Sequence, residues 1–185
     1  QAGANIGYRL QYPNGGDDPT RAVPAADNNG VLVCDCVGFA CWCLGIDRYD
    51  PGQSVNEDAS DQTEFHTYGG YVNTDAIIID ASGPRQKFEF IERPHPGCLV
   101  LYGSVDRGKP GGRVGHVGVV VGVPAEWDPS IADCWRRLEV IDCASRSGRA
   151  IIKNPTGGLT WFGNDRRGRP KHGRFVQLRK DRVRE

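Results

Sequence analysis

The apolar positions of this chain change character part-way along it. Between Cys36 and Leu44 they recur at spacings of three and four, at Val37, Ala40, Cys41 and Leu44, and Phe39 with Cys43 widens the stripe. That pattern predicts a helix with one buried face, and Gly45 supplies its stop. Before it, QYPNGGDDPTRAVPAADNNG (11–30) is dense in Pro, Gly, Asn and Asp and predicts an extended loop. After it, residues 46–73 are polar, with turn signals at Asp50-Pro51-Gly52 and Gly69-Gly70. Asn73 or Thr74 then caps a short second helix predicted over Asp75 to Ala81. From there the pattern is of strands. CLVLYG (98–103), RVGHVGVVVG (113–122), RLEVIDC (137–143), RAIIKN (149–154) and RFVQLR (174–179) are short, rich in β-branched residues, and bounded by Gly, Pro or Asp. Helix first and strands afterwards predict an α+β fold, the helix packed on one face of an antiparallel sheet. With no repeat or linker, residues 1–185 are expected to form a single domain.

Composition narrows the class. A chain of 185 residues with 38% apolar and 25% charged residues can bury a real core and is not a disordered polymer. No apolar run approaches the ~20 residues that span a bilayer, and Asp35 interrupts the best candidate, so no membrane partner is expected. The start, QAGANIGYRL, lacks the basic-then-apolar layout of a secretory signal. Net charge is zero but unevenly spread: residues 47–92 hold ten acids against three bases, and 166–184 hold nine Lys/Arg against Asp181. A solvated acidic segment and a basic final strand with its approach loop account for both. A nucleic-acid partner is not expected, because RRGRPKHGRFVQLRK has the strand positions Phe175, Val176 and Leu178 and no aromatic stacking platform.

Cysteine changes the picture more than charge does. Seven cysteines leave at least one without an intramolecular disulfide partner, and most are expected to be reduced and buried. Four of them, Cys34, Cys36, Cys41 and Cys43, crowd into C-x-C-x4-C-x-C. One alternative is a zinc-binding module built on these four. Zinc wants ligands converging tetrahedrally, usually from knuckles with two to four intervening residues. On a helix, Cys41 and Cys43 point roughly 200° apart, which counts against it. The other reading gives the cysteines different roles. Cys36 opens the helix, where unsatisfied backbone N–H groups and the positive end of the dipole favour the thiolate that attacks carbonyls. The same N–H groups can hold a developing oxyanion. Cys41 and Cys43 lie deeper, as small core hydrophobes, and Cys34 precedes the helix.

A nucleophilic thiol needs a base, and GRVGHVGVVVG places one His in an apolar strand between glycines. Strand alternation puts His116, Gly118 and Val120 on one side, with Gly118 leaving space for another backbone or a substrate. A helix-start cysteine with a mid-sheet His is the pairing by which imidazole deprotonates a thiol. The base in turn needs an orienter, and the next strand ends in Asp142 and Cys143, whose side chains alternate. A carboxylate accepts an Nδ1–H bond strongly and stabilises imidazolium, whereas a thiol does neither well, so Asp142 is the preferred third residue.

These pieces, in this order, resemble the NlpC/P60 family of papain-like cysteine peptidases and, more loosely, the related CHAP amidases. Asp35-Cys36-Val37-Gly38-Phe39 is similar to the family's Asp-Cys-Ser-Gly-Phe except at Val37. Pro96-Gly97-Cys98-Leu99-Val100 resembles Pro-Gly-Asp-Leu-Val with Cys98 for the acid, and Gly115-His116-Val117-Gly118 matches Gly-His-Val-Gly. The third polar position, usually His, falls on Asp142, and an upstream Tyr corresponds to Tyr8. The resemblance spans residues 3 to 150. It implies a papain-like fold and a cysteine endopeptidase or amidase that cuts peptidoglycan stem peptides through a thioester. The catalytic residues would be Cys36, His116 and Asp142, with Tyr8 and Asp35 as substrate or oxyanion contacts and no metal or organic cofactor. The long Cys36–His116 separation would make the acidic segment 46–90 an insertion or lid, with Phe65, Tyr68 and Tyr71 available to substrate. Action at the cell wall or periplasm is implied, with delivery by a phage, a secretion system or a removed signal. An immunity protein or a phage or secretion-machinery component would be the protein partner. The departures at Val37 and Asp142 leave a catalytically inactive cell-wall-binding relative as the other alternative.

Overall fold

The computed structural model describes residues 7–8, 25–26, 32–46, 72–83, 87–103, 115–128, 130–144, 149–153, 161 and 173–179. These form an α+β structure built on one sheet. Its strands are β1 (Gly7–Tyr8), β2 (Ala25–Ala26), β3 (Leu32–Cys34), β4 (Phe88–Ile91), β5 (Leu99–Tyr102), β6 (His116–Gly122), β7 (Glu139–Ala144), β8 (Arg149–Lys153) and β9 (Arg174–Leu178). They run in the order β2-β3-β1-β8-β7-β6-β5-β9-β4. Every neighbouring pair is antiparallel except β1 with β3. The helices are α1 (Cys36–Leu44), α2 (Thr74–Ser82) and the short α3 (Ala132–Arg136). Among the described residues no helix is long and apolar enough to cross a membrane.

Helix α1 starts and stops where its sequence says it should. The Asp35 carboxylate accepts the Gly38 N–H at 2.8 Å, an N-cap that satisfies one of the orphan donors of the first turn. At the other end Gly45 takes a left-handed conformation, φ 67°, and its N–H returns to the Trp42 carbonyl. Between the caps, Val37, Phe39, Ala40 and Cys41 are buried against the sheet. Helix α2 is capped in the same way by Asn73, whose side chain accepts the Ala76 N–H at 2.8 Å.

Alternation along the strands divides the core in two. Leu99 and Leu101 of β5, Val117 and Val119 of β6, Cys143 of β7 and Val176 of β9 pack with Phe39, Cys41, Ile77 and Ile78 of the helices. The intervening residues, Val100, Val120, Val140 and Phe175, form a second cluster with Cys98, Leu138 and Trp161. Each large side chain so buried contributes roughly 1.5–3 kcal/mol against its exposure in the unfolded chain.

Two expectations need correcting. The described part of 46–90 is core and not lid: Ala76, Ile77 and Phe88 are at most 1% exposed. Buried Asp80 ties helix to strand by accepting the Phe88 N–H at 2.7 Å, and β4 then pairs along β9. Phe65, Tyr68 and Tyr71 lie outside the described residues. Second, the stretch 11–30 is not wholly loop, because Ala25–Ala26 pairs with Val33 and Leu32. The basic final strand is structured, with Arg174 over the Phe90 ring at 5.4 Å and Arg179 facing Glu89 at 4.0 Å.

Candidate active site

Three elements deliver three side chains to one place. Cys36 is the first residue of α1, His116 the first of β6, and Asp142 lies on the neighbouring β7. Val119 pairs with Ile141 across the two strands, so Asp142 stands diagonally beside His116 on the same face. His116 donates its Nε2–H to Asp142 Oδ2 at 2.6 Å. The Asp142 side chain is fully buried and that of His116 is 14% exposed. The Cys36 side chain is within hydrogen-bonding reach of the same imidazole. With Nε2 committed to the carboxylate, Nδ1 is the ring nitrogen that remains for the sulfur. The expected Nδ1–H bond to the carboxylate is therefore corrected to Nε2–H.

The electrostatics of the imidazole follow from its neighbours. Burial opposes the charged ring most strongly, but its hydrogen bonds to Asp142 and Cys36 and their negative charge outweigh it, raising His116 from 6.5 to about 9. Imidazolium is thus the favoured form at neutral pH. A buried carboxylate joined to the ring by a short, charge-assisted bond is the arrangement that stabilises it.

The glycines of the strand motif have steric reasons. A Cβ on Gly118 would lie 2.5 Å from Val140 Cγ1 and 2.9 Å from Trp161 Cζ2. The space beside His116 is thus filled by an indole from the protein itself. Trp161 is fully buried and lies nearly parallel to the His116 ring, at 5.6 Å and 11°. Tyr102, opposite His116 in the β5–β6 register, tilts against the imidazole at 6.3 Å and 53°. A Cβ on Gly115 would collide with Thr74 of α2, so the close approach of that helix needs glycine here. Trp161 is a site residue that periodicity did not mark. Its one trace in the sequence is Gly118, an isolated glycine in a strand that signals something bulky alongside.

The other expected site residues fare differently. Asp35 is 5% exposed and its carboxylate caps α1. Tyr8 falls in β1, its backbone paired in parallel with Cys34, two residues before Cys36. Cys143 points away from His116, into the helix-side core, where its thiol donates to the Cys34 carbonyl at 3.3 Å.

The cysteine cluster does not converge. Cys34 and Cys41 are buried in the core, Cys43 is exposed, and Cys36 faces His116 across an unbroken helix start. Among the described residues no three His, Cys, Asp or Glu side chains gather as a metal ion requires, which overturns the zinc-module alternative for these four. None of the seven cysteines is in a disulfide. Burial pushes the Cys98 thiol up to about 11. Cys43 reaches solvent at the helix end, yet neighbouring protein atoms desolvate it enough to push it to about 11 as well. Comparison with models of known protein families, with curated proteins and with solved structures finds no match.

Proposed function

We propose that this chain is a cysteine hydrolase, an endopeptidase or amidase that cuts peptide bonds in bacterial peptidoglycan stem peptides through a thioester. The observation that carries the chemistry is the meeting of Cys36, His116 and Asp142, each from a different element, around one imidazole. The substrate class rests on the motifs that resemble NlpC/P60 peptidases, and the papain-like fold is proposed on the same ground. A helix-start thiol packed toward an antiparallel sheet is consistent with it.

In this reading, the Cys36 proton resides on His116 Nδ1, and the sulfur of the resulting thiolate–imidazolium pair attacks the scissile carbonyl carbon. A C–S bond forms as the carbonyl π pair moves onto oxygen. The Cys36 and Val37 N–H groups at the positive end of α1 are the donors for that oxyanion. Collapse breaks the C–N bond, and His116 hands its proton to the departing amine. Water, deprotonated by the now neutral His116, then attacks the thioester; the C–S bond breaks and the thiolate returns. Asp142 stays ionised throughout and keeps the ring oriented.

Mass spectrometry of muropeptides released from purified sacculi tests the proposal. The native chain should produce new stem-peptide fragments, and Cys36→Ala should lower their release by about 10⁴-fold or more while its thermal midpoint stays close to native. Full activity in that variant would sink the assignment. Iodoacetamide at neutral pH separates an active site from an inactive binding relative: Cys36 should be alkylated well before Cys43 and Cys98.

A further inference from the structure

Strands β4 and β5 both run antiparallel to β9, which lies between them, so they are parallel to each other. Residues 92–98 must therefore cross over β9 to join them. We propose that His95 pins this crossover to β9 through a proton-dependent clasp, in which a doubly protonated imidazole donates to Gln177 and Gln177 donates in turn to Glu89. The clasp closes when His95 binds its second ring proton and opens when that proton leaves. It is independent of the proposed hydrolysis.

The bonding partners fix the proton count. His95 Nδ1 is 3.0 Å from the Pro96 carbonyl oxygen, and Nε2 is 2.6 Å from Gln177 Oε1. A carbonyl oxygen only accepts, so Nδ1 carries hydrogen. The other nitrogen depends on which way the Gln177 amide faces. Its Nε2 donates to Glu89 Oε1 at 2.5 Å, which turns Oε1 toward the ring. Reversing the amide would set Oε1 against the carboxylate, two acceptors with no hydrogen between them. The carboxylate thus orients the amide, the amide presents an acceptor, and the ring supplies a second N–H. Glu89 and Gln177 stand opposite each other in the β4–β9 register, so this pair is built into the sheet.

Other charged and titratable groups lie around the chain. On β9, Arg179 Nε is 4.0 Å from Glu89 Oε2 and favours the ionised carboxylate. The Cys98 sulfur accepts the His95 backbone N–H at 3.5 Å, and burial keeps that thiol protonated. Glu92 and Arg93, both exposed, precede His95 in the crossover. His95 itself is exposed, so its proton exchanges with solvent, while Glu89 and Gln177 are half-buried. Once the ring has lost a proton, one of its nitrogens faces an oxygen lone pair to lone pair. The amide cannot turn to relieve this without repelling Glu89.

Nitrogen-15 NMR of the native chain across a pH series tests the clasp and needs no substrate. Before the ring titrates, both His95 nitrogens should read as protonated. As the ring loses its proton, protection of the Gln177 side-chain amide against exchange should fall by about tenfold in the same step. Protection of the Gly97 backbone N–H, which donates to the Val120 carbonyl at the end of the crossover, should fall with it. In Glu89→Gln the new amide can offer either of its atoms, so Gln177 can turn to a neutral ring and the fall should shrink to within about twofold. In Gln177→Leu, Gly97 should be poorly protected throughout the series. Gln177 protection that stays level while His95 titrates, or a fall that persists undiminished in Glu89→Gln, would overturn the proposal. So would a Gly97 N–H as well protected in Gln177→Leu as in the native chain.

Discussion

The two faces of β6 are made from alternate residues of seven and have opposite tasks. On one, Val117 and Val119 pack against α1 and α2 with Leu99, Leu101 and Cys143, an aliphatic and sulfur-bearing core with no charge among the strand residues. On the other, His116, Gly118 and Val120 face Val140, Trp161 and the buried carboxylate of Asp142. The helix-side face tolerates volume-conserving change because nothing there depends on direction. The Trp161 face does not, because an imidazole, a carboxylate and an indole are held by angle as well as by contact. The strand thus separates what makes the molecule stable from what makes the site work, and a register slip of one residue would exchange them.

The sharpest way to break that separation is Asp142→Asn. The amide keeps the shape but removes the charge that supports imidazolium, and turnover should fall by about 10³-fold, read as kcat on stem peptides. The pH dependence of stability is the next largest effect. Because His116 binds its proton more tightly when folded, its contribution is complete below about 6.5 and is lost as pH rises through about 9. Denaturant unfolding of the native chain should therefore weaken by a few kcal/mol across that window, and a His116→Gln variant should not show the decline. The smallest effects compare the faces directly. Val119→Ala should cost about 2 kcal/mol of stability while leaving kcat of the folded fraction unchanged. Gly118→Ala should cost a similar ~2 kcal/mol by overpacking and lower kcat too, because the added carbon presses on the indole over His116. Equal kcat values for these two variants would show that the faces are not functionally distinct.

How much of this was legible in the sequence depends on whether a local pattern carried it. The bounds of α1, from Cys36 to Leu44, follow from its stripe and its two caps, and the meeting of His116 with Asp142 follows from alternation on adjacent strands. Strand β4 escaped because FEFI is short and its anchor, Asp80, acts through a hydrogen bond eight residues away. The two-residue strands β1 and β2 have too few positions to show any period; distant partners alone make them strands. Trp161 escaped for a related reason, since its partners His116 and Gly118 are remote in the chain and no spacing rule links them. The choice of ring nitrogen was likewise three-dimensional. Residue types suggested that a carboxylate would bind the imidazole, but only the folded arrangement brings Nε2 to it.

The thiol of Cys143 donates to the carbonyl of Cys34, joining segments separated by 109 positions, and β1 and β8 bridge the same gap. A growing polypeptide that has exposed only its first hundred-odd residues to the cell has the sulfur but neither imidazole nor carboxylate. Contacts so distant form late and slowly. On the proposed chemistry, a site put together in this order stays silent until β7 has been made.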